Sequence, residues 1–473
     1  MKILLTGATG YIGKRLLPIL VAQGHHVVCC VRDKNRFYCP TELKKNVTVI
    51  EVDFLNIETF SVIPNDINAA YYLMHSMSSS SNNFDELEQT SAENFVERIN
   101  QTATKQVIYL SGIVNDRSLS KHLSSRKNVE EILKNTGVFT LTTLRAGIIV
   151  GSGSASFEII RDLVHKLPVM ITPKWLNTKC QPIAISDVLE YLSKSLLNPL
   201  TYNQSFDIGG IDVLTYKEML LGYAKATNVK RWIITIPIMT PKLSSYWLYF
   251  VTSTSYKLAT ALVSSMKVEV VCKDTKINEL LKLNPMSYEQ AISRALIKID
   301  EDAIASSWKD SMISGQFTGL IAEYIKVPKK DCYIDRRKKI VQNKEFTINK
   351  IWSIGGETGW YYGDWLWRLR GFIDKLFGGV GSRRGRTNKH DIHSGDVLDF
   401  WRVLYADKEE GKLVLFAEMK LPGKAWLEFK IINGTLYQSA TFKPKGILGN
   451  LYWYSVLPFH GFIFKGMLNK LIG

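Results

Sequence analysis

Three glycines in the pattern GxxGxxG stand near the head of the chain, in Leu5-Thr6-Gly7-Ala8-Thr9-Gly10-Tyr11-Ile12-Gly13. The apolar run Ile3–Leu5 precedes them. Lys14–Ala22 follows, with Leu16, Leu17, Ile19, Leu20 and Val21 toward one side of a helix. Strand, glycine turn and helix in that order make a phosphate cradle. The first glycine permits the tight turn, the second lets backbone approach a pyrophosphate, and the third lets the helix pack on the strand. The helix start then presents N–H groups and the positive end of its dipole to an anion. The chemistry to expect is dinucleotide binding, with Thr9, Tyr11 and Ile12 as contacts interleaved among the glycines.

The elements that would position this turn follow in order. His26–Val31 reads as a second strand ending in Arg32-Asp33, with Lys34 and Arg36 close behind. An acidic residue at that strand end suits the ribose 2′-OH of NAD(H), whereas an arginine suits a 2′-phosphate. Arg32, with Arg36 as a second contact, points to NADP(H). Val47–Val52, Ala69–Met74, Gln106–Leu110 and Phe139–Leu144 read as further strands, with helices predicted over Phe84–Thr104 and Asn128–Asn135. Such alternation implies an α/β fold with a parallel sheet and right-handed crossovers. Ligands of these sheets lie across the carboxyl ends of the strands. Gly7, Gly10, Arg32, Asp53, His75, Ser111 and Arg145 all fall at those ends.

TGATGYIG, the VRD after the second strand, Asp53-Phe54, YLSG and LRAGIIVGSGSASFE together resemble the short-chain dehydrogenase/reductase superfamily. The nearest branch is its atypical, NmrA-like and extended NAD(P)H-binding group, over Met1 to about Asp300. The resemblance implies a Rossmann fold and an NAD(P)-dependent oxidoreductase. It implies that Asp53 and Phe54 flank the adenine, that Leu73, His75 and Ser76 line the ribose, and that Ser111 and Arg145 lie near the nicotinamide. Catalytic members pair a strand-five serine with YxxxK on the next helix. Here Ser111 is present, and His122-Leu-Ser-Ser-Arg126 stands where that pair is expected. The i,i+4 spacing keeps both side chains on one helix face. In a reductase, Ser111 would polarise a carbonyl or quinone-like apolar substrate and His122 would exchange the proton. Arg126 would position the ribose. In the other reading the chain is a non-catalytic NAD(P)H-binding regulator or assembly factor.

Further on, Ser154, Ser186 and Thr215 read as helix starts, and Ser287 with Gln290 as a capping box. One helix is predicted from Pro241 to about Met266. These elements form a small substrate lobe interleaved with the sheet, completing a first domain over residues 1–325. A basic run, residues 326–345, reads as a linker, and residues 346–473 as another domain. That domain is rich in aromatics, with alternating segments near Val397–Leu404, Lys412–Met419, Trp426–Ile432 and Leu436–Phe442 and an apolar helix over Phe459–Ile472. GGETGWYYGDWLWRLRGFIDKLFGG, DVLDFWRV, LFAEMKLPGKAWLEF and LYWYSVLPFHGFIFKGM resemble a domain of unknown function that follows NAD(P)H-binding domains in bacterial proteins. It is of the START-like, helix-grip type. The resemblance implies an α+β domain enclosing an apolar ligand. Trp360, Tyr361, Trp365, Trp401, Trp426 and Trp453 would line that cavity or fill the core.

The 473 residues carry a formal net charge of +16, which favours anionic partners. With no recognised nucleic-acid module, nucleotide phosphates and acidic lipid headgroups are expected rather than nucleic acid. The six cysteines lack metal-ligand spacing, and His390 with His393 lacks a third ligand, so no metal is expected. Cys29 and Cys30 point to opposite faces of their strand. This usage suits a reducing, cytoplasmic setting. Met1-Lys2 leads directly into the first strand, so no signal peptide is expected. No apolar run is long enough to span a bilayer, which limits any membrane contact to a peripheral one at the inner membrane surface.

Overall fold

The computed structural model describes residues 1–74, 84–115, 121–236, 241–252, 256–300, 322–381, 386 and 391–472. The chain divides into two compact units, residues 1–34 with 39–312 and residues 35–38 with 313–473.

In the first unit β1 (Lys2–Leu5), β2 (His26–Val31), β3 (Val47–Glu51), β4 (Ala69–Tyr72), β5 (Gln106–Gly112) and β6 (Thr140–Ala146) come in turn. After them come β7 (Ile149–Val150), β8 (Val169–Pro173), β9 (Lys179–Cys180), β10 (Ile183–Ala184), β11 (Gln204–Ile208), β12 (Leu214–Thr215) and β13 (Trp232–Ile236). Seven strands form one parallel sheet in the order β11-β6-β5-β4-β1-β2-β3, and the others pair in twos. The helices are α1 (Tyr11–Ala22), α2 (Phe84–Ile99), α3 (Lys121–Thr136), α4 (Ala155–Lys166), α5 (Ile185–Lys194), α6 (Tyr216–Ala226), α7 (Pro241–Val251), α8 (Tyr256–Ser265), α9 (Lys276–Leu281) and α10 (Tyr288–Asp300).

Helices cover both faces of the sheet, so the strands are apolar throughout rather than alternating. Leu4, Val28, Cys30, Ala70 and Tyr72 pack with Phe95 and Val96 of α2 and Val129 and Leu133 of α3. Tyr71 and Cys29, one residue out of phase, are buried on the other side. There the Tyr71 hydroxyl donates to the Leu192 carbonyl of α5 at 3.0 Å.

Local chemistry explains three of the helix starts. Ser154 accepts the Phe157 N–H, Thr215 and Glu218 form a reciprocal capping box, and Ser287 and Gln290 do the same for α10. Ser186 is no cap: α5 starts at Ile185, and Ser186 lies in its first turn. The helix expected to run from Pro241 to Met266 is two helices, α7 and α8. Tyr246 and Tyr256 meet across the break, ring centroids 4.4 Å apart.

The second unit is an antiparallel sheet of β14 (Tyr333–Ile340), β15 (Val397–Leu398), β16 (Trp401–Asp407), β17 (Lys412–Ala417), β18 (Gly423–Ile432) and β19 (Thr435–Pro444). Its order is β14-β19-β18-β17-β16-β15. The basic run taken for a linker therefore contains an edge strand: β14 pairs with β19 along its whole length, from Tyr333–Phe442 to Ile340–Thr435. Charge belongs at such a position, because an edge strand dense in lysine and arginine resists pairing with another chain. The main core of this unit joins Leu415, Leu427, Phe429 and Leu436 of the sheet to residues of the helices Lys344–Trp352, Asp364–Leu376 and Gly446–Ile472. The last of these runs unbroken through Pro458, which was expected to interrupt it. Pro458 is exposed, so the carbonyl it leaves unbonded lies on a solvated helix face.

The aromatic residues expected to line one cavity or to fill the core are dispersed over separate clusters. Trp360, Trp367, Phe400 and Trp401 pack on one another, whereas Trp426 sits with Phe416 and Tyr324 in a separate cluster. Trp453 stacks between Tyr333 and Phe442, and Trp365 is exposed. Arg402 and Glu418 form a fully buried ion pair, with Nε and Nη2 each 2.9 Å from Oε1, and Nη1 donating to the Gly395 carbonyl at 2.7 Å.

Burial pushes the His460 imidazole down to about 4, with Arg370 and Arg337 adding to the effect and Asp335, 4.0 Å away, opposing it. The unfolded chain takes up this proton below about pH 6.5. Between the two values the unfolded state binds more protons, so stability falls as pH drops from neutrality toward 4. The loss at the lower end is on the order of 3 kcal/mol. Urea unfolding of the full chain at neutral and acid pH should show His460→Phe losing less stability on acidification than the parent. An equal loss would place the acid sensitivity elsewhere.

Candidate functional site

β1 ends in Thr6, whose buried hydroxyl donates to the Tyr71 carbonyl at 2.9 Å and accepts the Leu73 N–H at 3.0 Å. This fastens the end of β1 to the end of β4. Gly7 follows in a left-handed conformation, φ +65°, and a Cβ there would stand 2.5 Å from the Leu73 carbonyl oxygen. The Gly10 N–H donates to the Gly7 carbonyl at 2.8 Å. A Cβ on Gly13 would meet that same oxygen at 2.3 Å. The three glycines thus bring β4, the turn and α1 closer together than side chains permit. Gly10 is the N-cap of α1; no side chain caps the helix and no acid lies in its first turn. Thr9 and Ile12 are half-buried in this turn. An uncapped helix start behind a glycine turn is a cradle that fits a phosphate.

Tyr11 is fixed toward the loop after β7. Its hydroxyl donates to the Ser152 carbonyl at 3.3 Å, and a Cβ on Gly151 would lie 2.8 Å from it. Arg15 lies 4.7 Å over the Tyr11 ring and donates to the same carbonyl at 2.7 Å. Burial pushes the Tyr11 hydroxyl up to about 12 despite the nearby Arg15 charge, so it is neutral. Sequence reading missed Arg15 and Ser152, because the contact joins residues far apart in the chain.

The sheet order sets the carboxyl-end residues in the sequence Asp53, Arg32, Gly7, Leu73, Ser111, Arg145, at roughly 4.8 Å per strand. On the β2–β3 side Arg32 is exposed and Asp33 is buried. Arg36 lies in a short helical turn, Lys34–Arg36, with its side chain outside the described residues. The Asp53 carboxylate accepts the Leu55 N–H at 3.1 Å. Phe54 is 4% exposed, and its ring packs 5.5 Å from Phe60 and 5.6 Å from Phe95. His75 and Ser76 lie outside the described residues.

On the other side, Ser111 of β5 and Arg145 of β6 are register partners. Ser111 is 3% exposed, and its hydroxyl lies beside that of Tyr109. Arg145 is clamped: Nε and Nη2 reach Glu130 of α3 at 3.0 and 2.6 Å, and Nη1 lies 3.9 Å from Asp207 of β11. Burial lowers the affinity of this guanidinium for its proton, but the hydrogen bonds and charge of Glu130, with Asp207, raise it further. Glu130, which also accepts the Ser205 hydroxyl at 2.7 Å, was not anticipated. Arg126 donates through Nη1 to the Leu110 carbonyl at 3.0 Å, and its Nε is buried without a hydrogen bond among the described residues. His122 opens α3 one turn earlier; its side chain is outside the described residues. No group of side chains among the described residues could hold a metal ion.

A pair of substitutions separates crowding from backbone strain. Gly7 and Gly24 both have positive φ, but a Cβ at Gly24 meets nothing within 4 Å. Gly24→Ala should cost about 1 kcal/mol, and Gly7→Ala roughly 2–4 kcal/mol with loss of dinucleotide binding. Thermal unfolding of both variants checks this, and equal shifts would contradict the crowding at Leu73.

Residues 7–150 match the family described as NAD(P)H-binding, and residues 329–467 match a family described as a protein of unknown function, DUF2867. No curated protein matches the chain. Among solved structures, a nucleoside-diphosphate-sugar epimerase from Staphylococcus aureus is 16% identical with a TM-score of 0.51, covering 62% of this chain and 99% of its own. An epimerase from Methanothermobacter thermautotrophicus is 12% identical with a TM-score of 0.50, covering 64% of this chain and 93% of its own. These likenesses establish the fold of the first unit. The chain carries an N-terminal domain of the Rossmann fold that matches a family described as NAD(P)H-binding, followed by a domain that matches a family of unknown function.

Proposed function

We propose that the first unit is an NADP(H)-dependent oxidoreductase acting on an apolar carbonyl or quinone-like substrate. The observation that carries the reading is the glycine turn with the uncapped start of α1, and the buried Ser111 hydroxyl two strands along the sheet from it. When bound, the nicotinamide supplies or accepts hydride. Ser111 donates a hydrogen bond to the substrate carbonyl oxygen, and His122 exchanges the proton there. The Arg126 Nε faces the ribose, while Nη1 holds the end of β5. Arg145, neutralised by Glu130 and Asp207, braces β6 against α3 and β11 rather than offering a free charge. Arg32, exposed at the end of β2, takes the 2′-phosphate.

The second reading, an NAD(P)H-binding regulator or assembly factor, is favoured by a different observation. The residue at the lysine position is an arginine already bound to a backbone carbonyl, and arginine is a poor proton relay. In either case the second unit would bind an apolar ligand, a reading that rests on its aromatic-rich core.

Calorimetric titration with NADPH and NADH, then a panel of quinones and aldehydes, tests both. The oxidoreductase reading expects NADPH to bind about tenfold or more tightly than NADH, Arg32→Glu to abolish that preference, and Ser111→Ala to cut turnover about 100-fold. Binding without NADPH oxidation across the panel selects the regulator. Absence of NADPH binding defeats both.

A further inference from the structure

The second unit carries an inverted amphipathic face. On the helix Asp364–Leu376 the buried side is narrow, formed by Trp367, Gly371 and Asp374. The opposite side, where solvent-facing residues are normally polar, presents Trp365, Leu369, Phe372, Ile373 and Leu376, with Trp365 65% exposed and Phe372 56%. The terminal helix Gly446–Ile472 repeats the arrangement. Ile447, Leu451, Tyr454, Phe459 and Phe462 are exposed, Ile447 by 79%. Side chains of the two helices meet: Arg370 sits 5.2 Å over the Tyr452 ring, and Trp367 is 6.2 Å from Phe464.

The charged side chains that the two helices themselves turn outward beside this face are cations. Residues 446–464 contain no lysine, arginine, aspartate or glutamate, and Lys445 and Lys465 bracket them. On the neighbouring helix Arg368 is exposed, with Lys375 on the same flank of the apolar stripe. Both acids of that helix are turned to the backbone: Asp364 accepts the Trp360 N–H at 2.7 Å, and Asp374 accepts those of Gly381 and Lys420 at 2.8 Å each. An apolar, aromatic-rich face bordered by cations is the chemistry of a helix lying in the headgroup region of an anionic bilayer. A second copy fits less well, since pairing two such faces would bring like-charged rims together in a chain of net charge +16. No helix among the described residues is long and apolar enough to cross a membrane, so the contact is in the plane of the interface.

We propose that this face, built from the helices Asp364–Leu376 and Gly446–Ile472, docks the protein on the surface of a bilayer containing anionic phospholipid. The proposal is independent of the cofactor assignment. Co-sedimentation of the full chain with vesicles tests it. Binding to phosphatidylcholine vesicles containing phosphatidylglycerol is expected, weaker on phosphatidylcholine alone and reduced by salt. Because the altered side chains are solvent-facing, Trp365→Glu with Phe372→Glu should leave the fold intact and lower partitioning roughly tenfold or more. Arg368→Glu with Lys375→Glu should reduce the preference for anionic vesicles and the salt dependence. Independently of any variant's folding, acyl-chain-brominated lipids should quench tryptophan fluorescence of the unaltered protein, and Trp365→Phe should remove part of that quenching. Failure to sediment, unaltered binding by the Trp365/Phe372 variant, or absence of bromine quenching would overturn the proposal. So would a lipid-free dimer that the same substitutions dissociate, which would identify a second copy as the occupant. NADPH titration should be unaffected throughout, which separates failure here from failure of the cofactor reading.

Discussion

The architecture of the candidate site depends on one close approach, that of the Gly7 turn to the Leu73 carbonyl, secured by the bridging hydroxyl of Thr6. The approach sets where β1 ends relative to β4 and leaves no room for side chains at Gly7 or Gly13. It also aims the uncapped start of α1 across the carboxyl edge of the sheet. Tyr11 and Arg15 then tie that helix to the Ser152 loop, so the cradle is braced at both ends. A turn of this kind costs backbone strain at the left-handed glycine and gains a preorganised anion site.

The two sides of the cradle differ in how their charges are used. Toward β2, Arg32 is exposed. Toward β6, Arg145 is saturated by Glu130 and Asp207, and Arg126 is partly committed to the Leu110 carbonyl. Near β5 the Arg126 Nε is buried without a hydrogen bond among the described residues, and the buried Ser111 hydroxyl carries no charge.

What was legible in the chain was what local chemistry dictates. The glycine turn, the order of strands and helices, and the caps at Ser154, Thr215 and Ser287 depend on residues within a few positions of one another. The features that escaped depend on tertiary partners. The run Arg336-Arg337-Lys338-Lys339 reads as solvated linker until β19 is known to pair with it. Pro458 reads as a helix stop unless the face it occupies is known to be exposed. The packing of the Phe54 ring on Phe60 and Phe95 and the pairing of Arg145 with Glu130 likewise join residues far apart in the chain. The outward apolar side of Asp364–Leu376 was hidden because apolar residues surround most of that helix, and periodicity alone does not say which side is buried.

A structure of the full chain with NADPH bound tests the central claim most directly. The pyrophosphate is expected over the Gly10–Gly13 backbone at the start of α1, the 2′-phosphate at Arg32, and the nicotinamide toward Ser111. A dinucleotide bound away from the Gly7 turn, or a pyrophosphate held by side chains with α1 unengaged, would contradict it.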